Sequence, residues 1–133
     1  METKEQKSIL LVDDANDLRE TLGLALRASG YLVHEASDGQ CALEILQSNP
    51  GPHFALLTDF TMPLVSGGEL LKALENGPYQ FEIYVLISGQ DKHDPEIKTI
   101  VETMWKAPLE VLPKPFNASE LIQLLKSARK VSS

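Results

Sequence analysis

The chain has 133 residues, 43% of them apolar, with 12 Lys plus Arg against 19 Asp plus Glu and a net charge of −7. That is enough apolar chain for one domain with a real core, which excludes a disordered segment, and the acidic balance argues against gripping a nucleic-acid backbone or an anionic membrane. A single cysteine, Cys41, excludes an internal disulfide, and no stretch approaches the roughly 20 apolar residues that span a bilayer, so a protein of a reducing, cytoplasmic compartment is expected.

Ser8 to Val12 reads as a buried strand that stops on Asp13-Asp14. Helical spacing follows from Ala15 to Ser29, with Leu18, Leu22, Ala25 and Leu26 on one stripe and Gly30 where a helix-ending residue is expected. Tyr31 to Ala36 is a second strand, and Ser37-Asp38-Gly39 opens a helix through Ala42, Leu43, Ile45 and Leu46 that Pro50-Gly51-Pro52 ends. Phe54 to Asp59 is the third strand, closed by Pro63. Ser66 and Glu69 have capping-box spacing, so a helix begins at about Gly67 and buries Leu70, Leu71 and Leu74. Phe81 to Ser88 is the fourth strand. Asp94-Pro95 is an N-cap with proline at the first helical position, followed by Ile97, Ile100, Val101, Met104 and Trp105 at helical spacing up to Pro108. Leu109 to Leu112 is a short fifth strand, and Asn117 with Glu120 opens a last helix through Leu121, Leu124, Leu125 and Ala128.

Five βα units with near-continuous apolar strands imply a parallel sheet buried on both faces. Right-handed crossovers make this an α/β doubly wound sheet, flavodoxin-like, most simply in the order 2-1-3-4-5. One domain over residues 1–133 is expected, with its core between about residues 8 and 130.

In that order the carboxyl ends of strands 1, 3, 4 and 5 face one crevice, where ligands of open α/β sheets sit. Strand 1 brings Asp13 and Asp14, strand 3 Asp59, strand 4 Ser88 and strand 5 Lys114. Three carboxylates repel unless a positive charge lies among them, and oxygen donors of this kind suit Mg²⁺. A cation and Lys114 can hold a phosphoryl group between them, Ser88 can donate to a phosphate oxygen, and a carboxylate can attack phosphorus. Asp59, alone on the central strand, is the best candidate for that attack. Each residue also has a plainer reading. Asp13-Asp14 could cap the first helix, Asp59 could be a turn residue, Ser88-Gly89 an ordinary turn and Lys114 a solvated lysine. Their coincidence at four strand ends carries the argument.

Leu11-Val12-Asp13-Asp14, Thr58-Asp59-Phe60-Thr61-Met62-Pro63 with Gly67, Ser88-Gly89 and Lys114-Pro115-Phe116 together resemble the receiver domain of two-component response regulators. The resemblance implies that Asp59 accepts phosphate from a histidine kinase or histidine phosphotransfer protein. It implies Mg²⁺ held by Asp13, Asp14, Asp59 and the backbone carbonyl of Thr61, with Asp14 the closer ligand of the pair. It also implies that Ser88 rotates toward the phosphoryl group, that Lys114 pairs with it, and that the Lys114–Pro115 peptide is cis. The protein is then a phosphoacceptor signalling domain rather than an enzyme, with an unidentified downstream protein as output partner. With only Val131-Ser132-Ser133 after the last helix, it is expected to be a stand-alone receiver or the front piece of a longer chain.

Three departures from the family pattern stand out. Val111 occupies the position, three before the lysine, where an aromatic ring usually reports the state of the site. Met104-Trp105-Lys106-Ala107-Pro108 replaces the usual small-residue segment before strand 5, which makes the exit of the fourth helix a place for a private partner or a homodimer unless Trp105 simply covers the core. Ser88 replaces the commoner Thr but keeps the hydroxyl. Thr61 and Gln90, two residues after Asp59 and Ser88, flank the position of an attacking water in receivers. Rival readings fit less well. A phosphatase of the haloacid-dehalogenase type wants Asp where Thr61 stands. A flavin protein wants a Ser, Thr and Gly loop where Asp13-Asp14-Ala15-Asn16-Asp17 would repel phosphate. A binding-only pseudo-receiver would have lost a site residue.

Overall fold

The computed structural model describes residues 6–60, 67–89, 93–103 and 107–131. In chain order the elements are β1 (Ser8–Val12), α1 (Asn16–Ala28), β2 (Leu32–Ala36), α2 (Gly39–Ser48), β3 (His53–Asp59), α3 (Gly67–Asn76), β4 (Phe81–Ser88), α4 (Pro95–Thr103), β5 (Leu109–Pro113) and α5 (Ala118–Val131). The five strands form one sheet in the order β2-β1-β3-β4-β5, every pair parallel. This is the doubly wound order expected from the alternation of elements. Expected and observed boundaries differ by one or two residues at several ends, as where β2 starts at Leu32 and β3 at His53.

The continuous apolar runs follow from burial on both faces. Every residue of β3 is buried. On one face Leu10, Val12, Leu56, Tyr84 and Leu86 meet the apolar stripes of α2, α3 and α4. On the other, Ile9, Leu11, Leu57, Val85 and Ile87 meet those of α1 and α5. Alternate residues of one strand thus feed two cores, because successive side chains point to opposite faces.

The helix ends are set by local chemistry. The Asp38 carboxylate accepts from the Cys41 amide at 2.8 Å, Asp94 Oδ1 from Glu96 at 3.0 Å and Asn117 Oδ1 from Glu120 at 2.9 Å. At the end of α1 the Gly30 amide bonds the Arg27 carbonyl and the Tyr31 amide bonds the Leu26 carbonyl, with Gly30 at φ +99°. This is a Schellman turn, closed by Tyr31 and Leu26 in the same apolar cluster. The apolar stripe of α4 is narrower than its sequence spacing implies: Ile97 and Ile100 are buried, whereas Val101 is exposed. Met104, Trp105, Ser66, Thr61 and Gln90 lie outside the described residues. Among the described residues no helix is long and apolar enough to cross a membrane.

Candidate functional site

Parallel register decides which strand ends meet. Val12 lies opposite Thr58, Asp59 opposite Ile87, and Ser88 opposite Pro113. Each residue next along its strand therefore stands at the same rim: Asp13, Asp59, Ser88 and Lys114. The ladder also runs one bond past the strands. Asp13 N–H donates to the Ala36 carbonyl at 3.0 Å, Phe60 N–H to Ile87 at 2.8 Å and Lys114 N–H to Ser88 at 2.8 Å. The rim residues are thus held by backbone rather than by loops.

Asp13, Asp14 and Asp59 each offer a carboxylate oxygen within 4.8 Å of the others. Asp13 and Asp59 are buried and Asp14 is exposed. Lys114 Nζ lies 3.0 Å from Asp59 Oδ1, with its own side chain 38% exposed, so it reaches the site from solvent. Ser88 is buried beside them at the end of β4. The Lys114–Pro115 peptide is cis. Val111 is half-buried and packs on the core beneath.

Asp13 does two things at once. Its Oδ1 accepts the Ala15 amide at 2.8 Å, a turn that leads the chain into α1, whose N-cap Ala15 makes no side-chain cap bond. Its Oδ2 is buried with no hydrogen-bond partner among the described residues. Burial pushes the Asp13 carboxyl above its ordinary value of 3.8; the Ala15 amide opposes the rise, Asp59 adds to it, Lys114 opposes it and Asp14 adds to it. A buried carboxylate oxygen without a donor, on a residue clustered with two further carboxylates, offers oxygen donors of the kind that suit a hard cation. The helix-capping reading of the Asp13-Asp14 pair does not hold at the N-cap, which is Ala15 without a side-chain cap bond; Asp13 Oδ1 instead accepts the Ala15 amide two residues on, a turn that leads into α1.

Sequence reasoning missed Arg19 and Glu35. Arg19 donates from one terminal nitrogen to the Asp13 carbonyl at 2.8 Å and from Nε to Glu35 Oε1 at 3.3 Å. Arg27 donates to Glu35 Oε2 at 2.9 Å and to the Val33 carbonyl at 3.0 Å. The available signal was a lone arginine one turn into α1, where the helix dipole disfavours a positive charge unless it has an acceptor.

A receiver-domain family model, "Response regulator receiver domain", matches residues 9–126. The rice two-component response regulator ORR5 is 31% identical over 87% of this chain and 84% of its own length. The sensor kinase CckA of Brucella abortus is 31% identical over 90% of this chain, which spans only 12% of that kinase. Among solved structures, chemotaxis protein CheY4 of Vibrio cholerae superposes with a TM-score of 0.79 at 28% identity, covering 93% of this chain and 99% of that one. Response regulator TrrA of Thermotoga maritima, solved in complex with Mg²⁺ and BeF, does so with a TM-score of 0.72 at 26% identity, covering 92% and 99%. An acidic cluster, two of its three carboxylates buried and a lysine on Asp59, on a sheet of order 2-1-3-4-5, thus comes with a family match along nearly the whole chain: the protein belongs to the receiver domains of two-component response regulators.

Proposed function

We propose that Asp59 accepts a phosphoryl group from the phosphohistidine of a histidine kinase or histidine phosphotransfer protein. Mg²⁺ would be held by the carboxylates of Asp13, Asp14 and Asp59 and by the main-chain carbonyl of Thr61, which lies outside the described residues. The observation that carries this reading is the Lys114–Asp59 contact at 3.0 Å in a cluster with Asp13, whose Oδ2 is buried and without a partner among the described residues. TrrA, a structural relative, binds Mg²⁺ and BeF, which supports the same use here.

The bound cation supplies positive charge against the phosphoryl oxygens. The chain's own residues do the rest. An Asp59 carboxylate oxygen bonds to phosphorus as the donor's P–N bond breaks, and the electron pair of that bond leaves with the imidazole nitrogen. Lys114, already on Asp59, transfers its hydrogen bond to a phosphoryl oxygen and offsets the charge gained. The Ser88 hydroxyl donates to another. The domain assists its own phosphorylation and dephosphorylation without turning over a separate substrate.

Phosphorylation shifts a pre-existing equilibrium and is read by an unidentified downstream protein on the face of α4, β5 and α5, through the loop after β4. Val111 has no ring to flip, so that loop, rather than an aromatic switch, carries the message. Residues 1–133 act as one receiver unit in the cytoplasm, with no direct contact to nucleic acid or membrane, and a homodimer on the α4 face is open to it.

The test is intact mass after incubation with acetyl phosphate, with Mg²⁺ or with chelator, for wild type and Asp59→Asn. An adduct of one phosphoryl group that needs Mg²⁺ and is absent from the variant is expected. A folded wild type that shows no adduct at any time from milliseconds onward would refute the reading.

A further inference from the structure

With the acidic cluster read as a cation site, as proposed above, the main chain that carries its aspartates has to be held in place. Asp13 is the first residue past β1, so its peptide has only part of a ladder to hold it. Its N–H is tied directly to β2 through the Ala36 carbonyl at 3.0 Å. Its own carbonyl accepts from Arg19 at 2.8 Å, and Arg19 in turn bonds Glu35 at 3.3 Å. Glu35 is the neighbour of Ala36 on β2. The chain of contacts therefore closes on itself: Asp13 N–H to Ala36, Ala36 to Glu35, Glu35 to Arg19, Arg19 back to the Asp13 carbonyl. Both ends of the Asp13 residue are gripped by one strand.

This grip is sheltered. The Arg19 side chain is 13% exposed and that of Glu35 20%. Glu35 lies against α1 at a residue that leaves room for it: a Cβ on Gly23 would come within 2.8 Å of Glu35 Oε2. Arg27 holds the other Glu35 oxygen but bonds Val33, not the loop that carries the aspartates. The two arginines thus share one acceptor, and only Arg19 reaches the Asp13 peptide.

We propose that Arg19, fixed by Glu35, is a positioning residue for the cation site: it sets the Asp13 main chain so that the carboxylates of Asp13 and Asp14 converge on Asp59. It touches neither the cation nor the phosphoryl group. Partners that orient the ligands of a metal commonly change its affinity by about tenfold or more when removed. The sign separates positioning from charge. Taking a positive charge away from an acidic cluster strengthens cation binding by Coulomb attraction alone, so a fall in affinity can come only from lost geometry.

Mg²⁺ binding is measured by titration calorimetry on wild type, Arg19→Gln, Arg19→Lys and Arg27→Gln, with thermal unfolding in chelator for each. Arg19→Gln is expected to weaken Mg²⁺ binding about tenfold, while Arg27→Gln, which loses a Glu35 ion pair as well, stays within about twofold of wild type. Arg19→Lys, which has no fork to span the Asp13 carbonyl and Glu35 together, is expected between the two; it carries the comparison if Arg19→Gln does not fold. Unchanged or tighter binding in the Arg19 variants overturns the proposal. So does an equal loss in Arg27→Gln, which would make Arg19 merely structural. A wild type that binds no Mg²⁺ at millimolar concentration overturns the cation site itself, a result distinct from either.

Discussion

Replacing Asp13 by Asn should stabilise the protein in the absence of divalent cations. The Asp13 side chain is buried at the end of β1. Asn keeps the oxygen that accepts the Ala15 amide at 2.8 Å, so the start of α1 is preserved. What changes is Oδ2, the buried oxygen without a donor, which carries charge in the company of Asp14 and Asp59. An amide nitrogen in its place removes that charge and can donate to either neighbouring carboxylate. A buried polar atom without a partner costs about 1–3 kcal/mol, and more when it is charged. A gain of about 1–2 kcal/mol is therefore expected, or about 4–8 °C in Tm for a domain of this size. Urea unfolding at pH 7 in chelator reads the difference directly. With millimolar Mg²⁺ the wild type should recover most of the gap, because a ligand that binds only the folded state stabilises it, whereas the variant should gain little. An Asn variant less stable than wild type in chelator would show that Asp13 Oδ2 is satisfied in the folded protein, and would refute this reasoning.

Tyr84, fully buried on β4, has a hydroxyl with no hydrogen-bond partner among the described residues, and burial first, then the Glu75 charge, push its pKa up to about 12. The unfolded chain releases this proton near pH 10 and the folded one near 12, so stability falls as pH rises through that window, by up to about 2–3 kcal/mol. Tyr84→Phe should be at least as stable as wild type at pH 7 and should lose less of its stability between pH 9 and 11; parallel urea curves at the two pH values check both. Gly30, at φ +99° with open space around its Cα, should tolerate Ala sterically but not conformationally. Gly30→Ala is expected to cost about 1–2 kcal/mol, read as a lower urea midpoint with an unchanged slope, because the Schellman turn needs a left-handed residue there.

The rim of the sheet was legible because each of its residues stands at or one step past the end of an apolar run: Asp59 and Ser88 close β3 and β4, and Asp13 and Lys114 follow β1 and β5. Four apolar runs end on Asp13, Asp59, Ser88 and Lys114, and once the order 2-1-3-4-5 is inferred, parallel pairing alone brings those ends together. Gly30, Asp38, Asp94 and Asn117 were legible for the same reason: a cap acts within a few residues of itself, so its signal is local. Arg19 and Glu35 were not, because their meeting is set by neither helix nor strand period. It needs β2 beside β1, the odd residues of β2 turned toward α1, and Gly23 leaving room between them. Nor does a sequence divide one aspartate between two tasks. Asp13 looks equally like a cap or a ligand until the fold turns Oδ1 to the Ala15 amide and leaves Oδ2 buried without a partner among the described residues. The same geometry explains why the site sits here. The ends of β1, β3 and β5 are held by backbone bonds to their neighbours in the sheet: Asp13 on Ala36, Phe60 on Ile87, and Lys114 on Ser88. The ends of the strands thus keep the carboxylates of Asp13, Asp14 and Asp59 within 4.8 Å of one another, with Lys114 on Asp59.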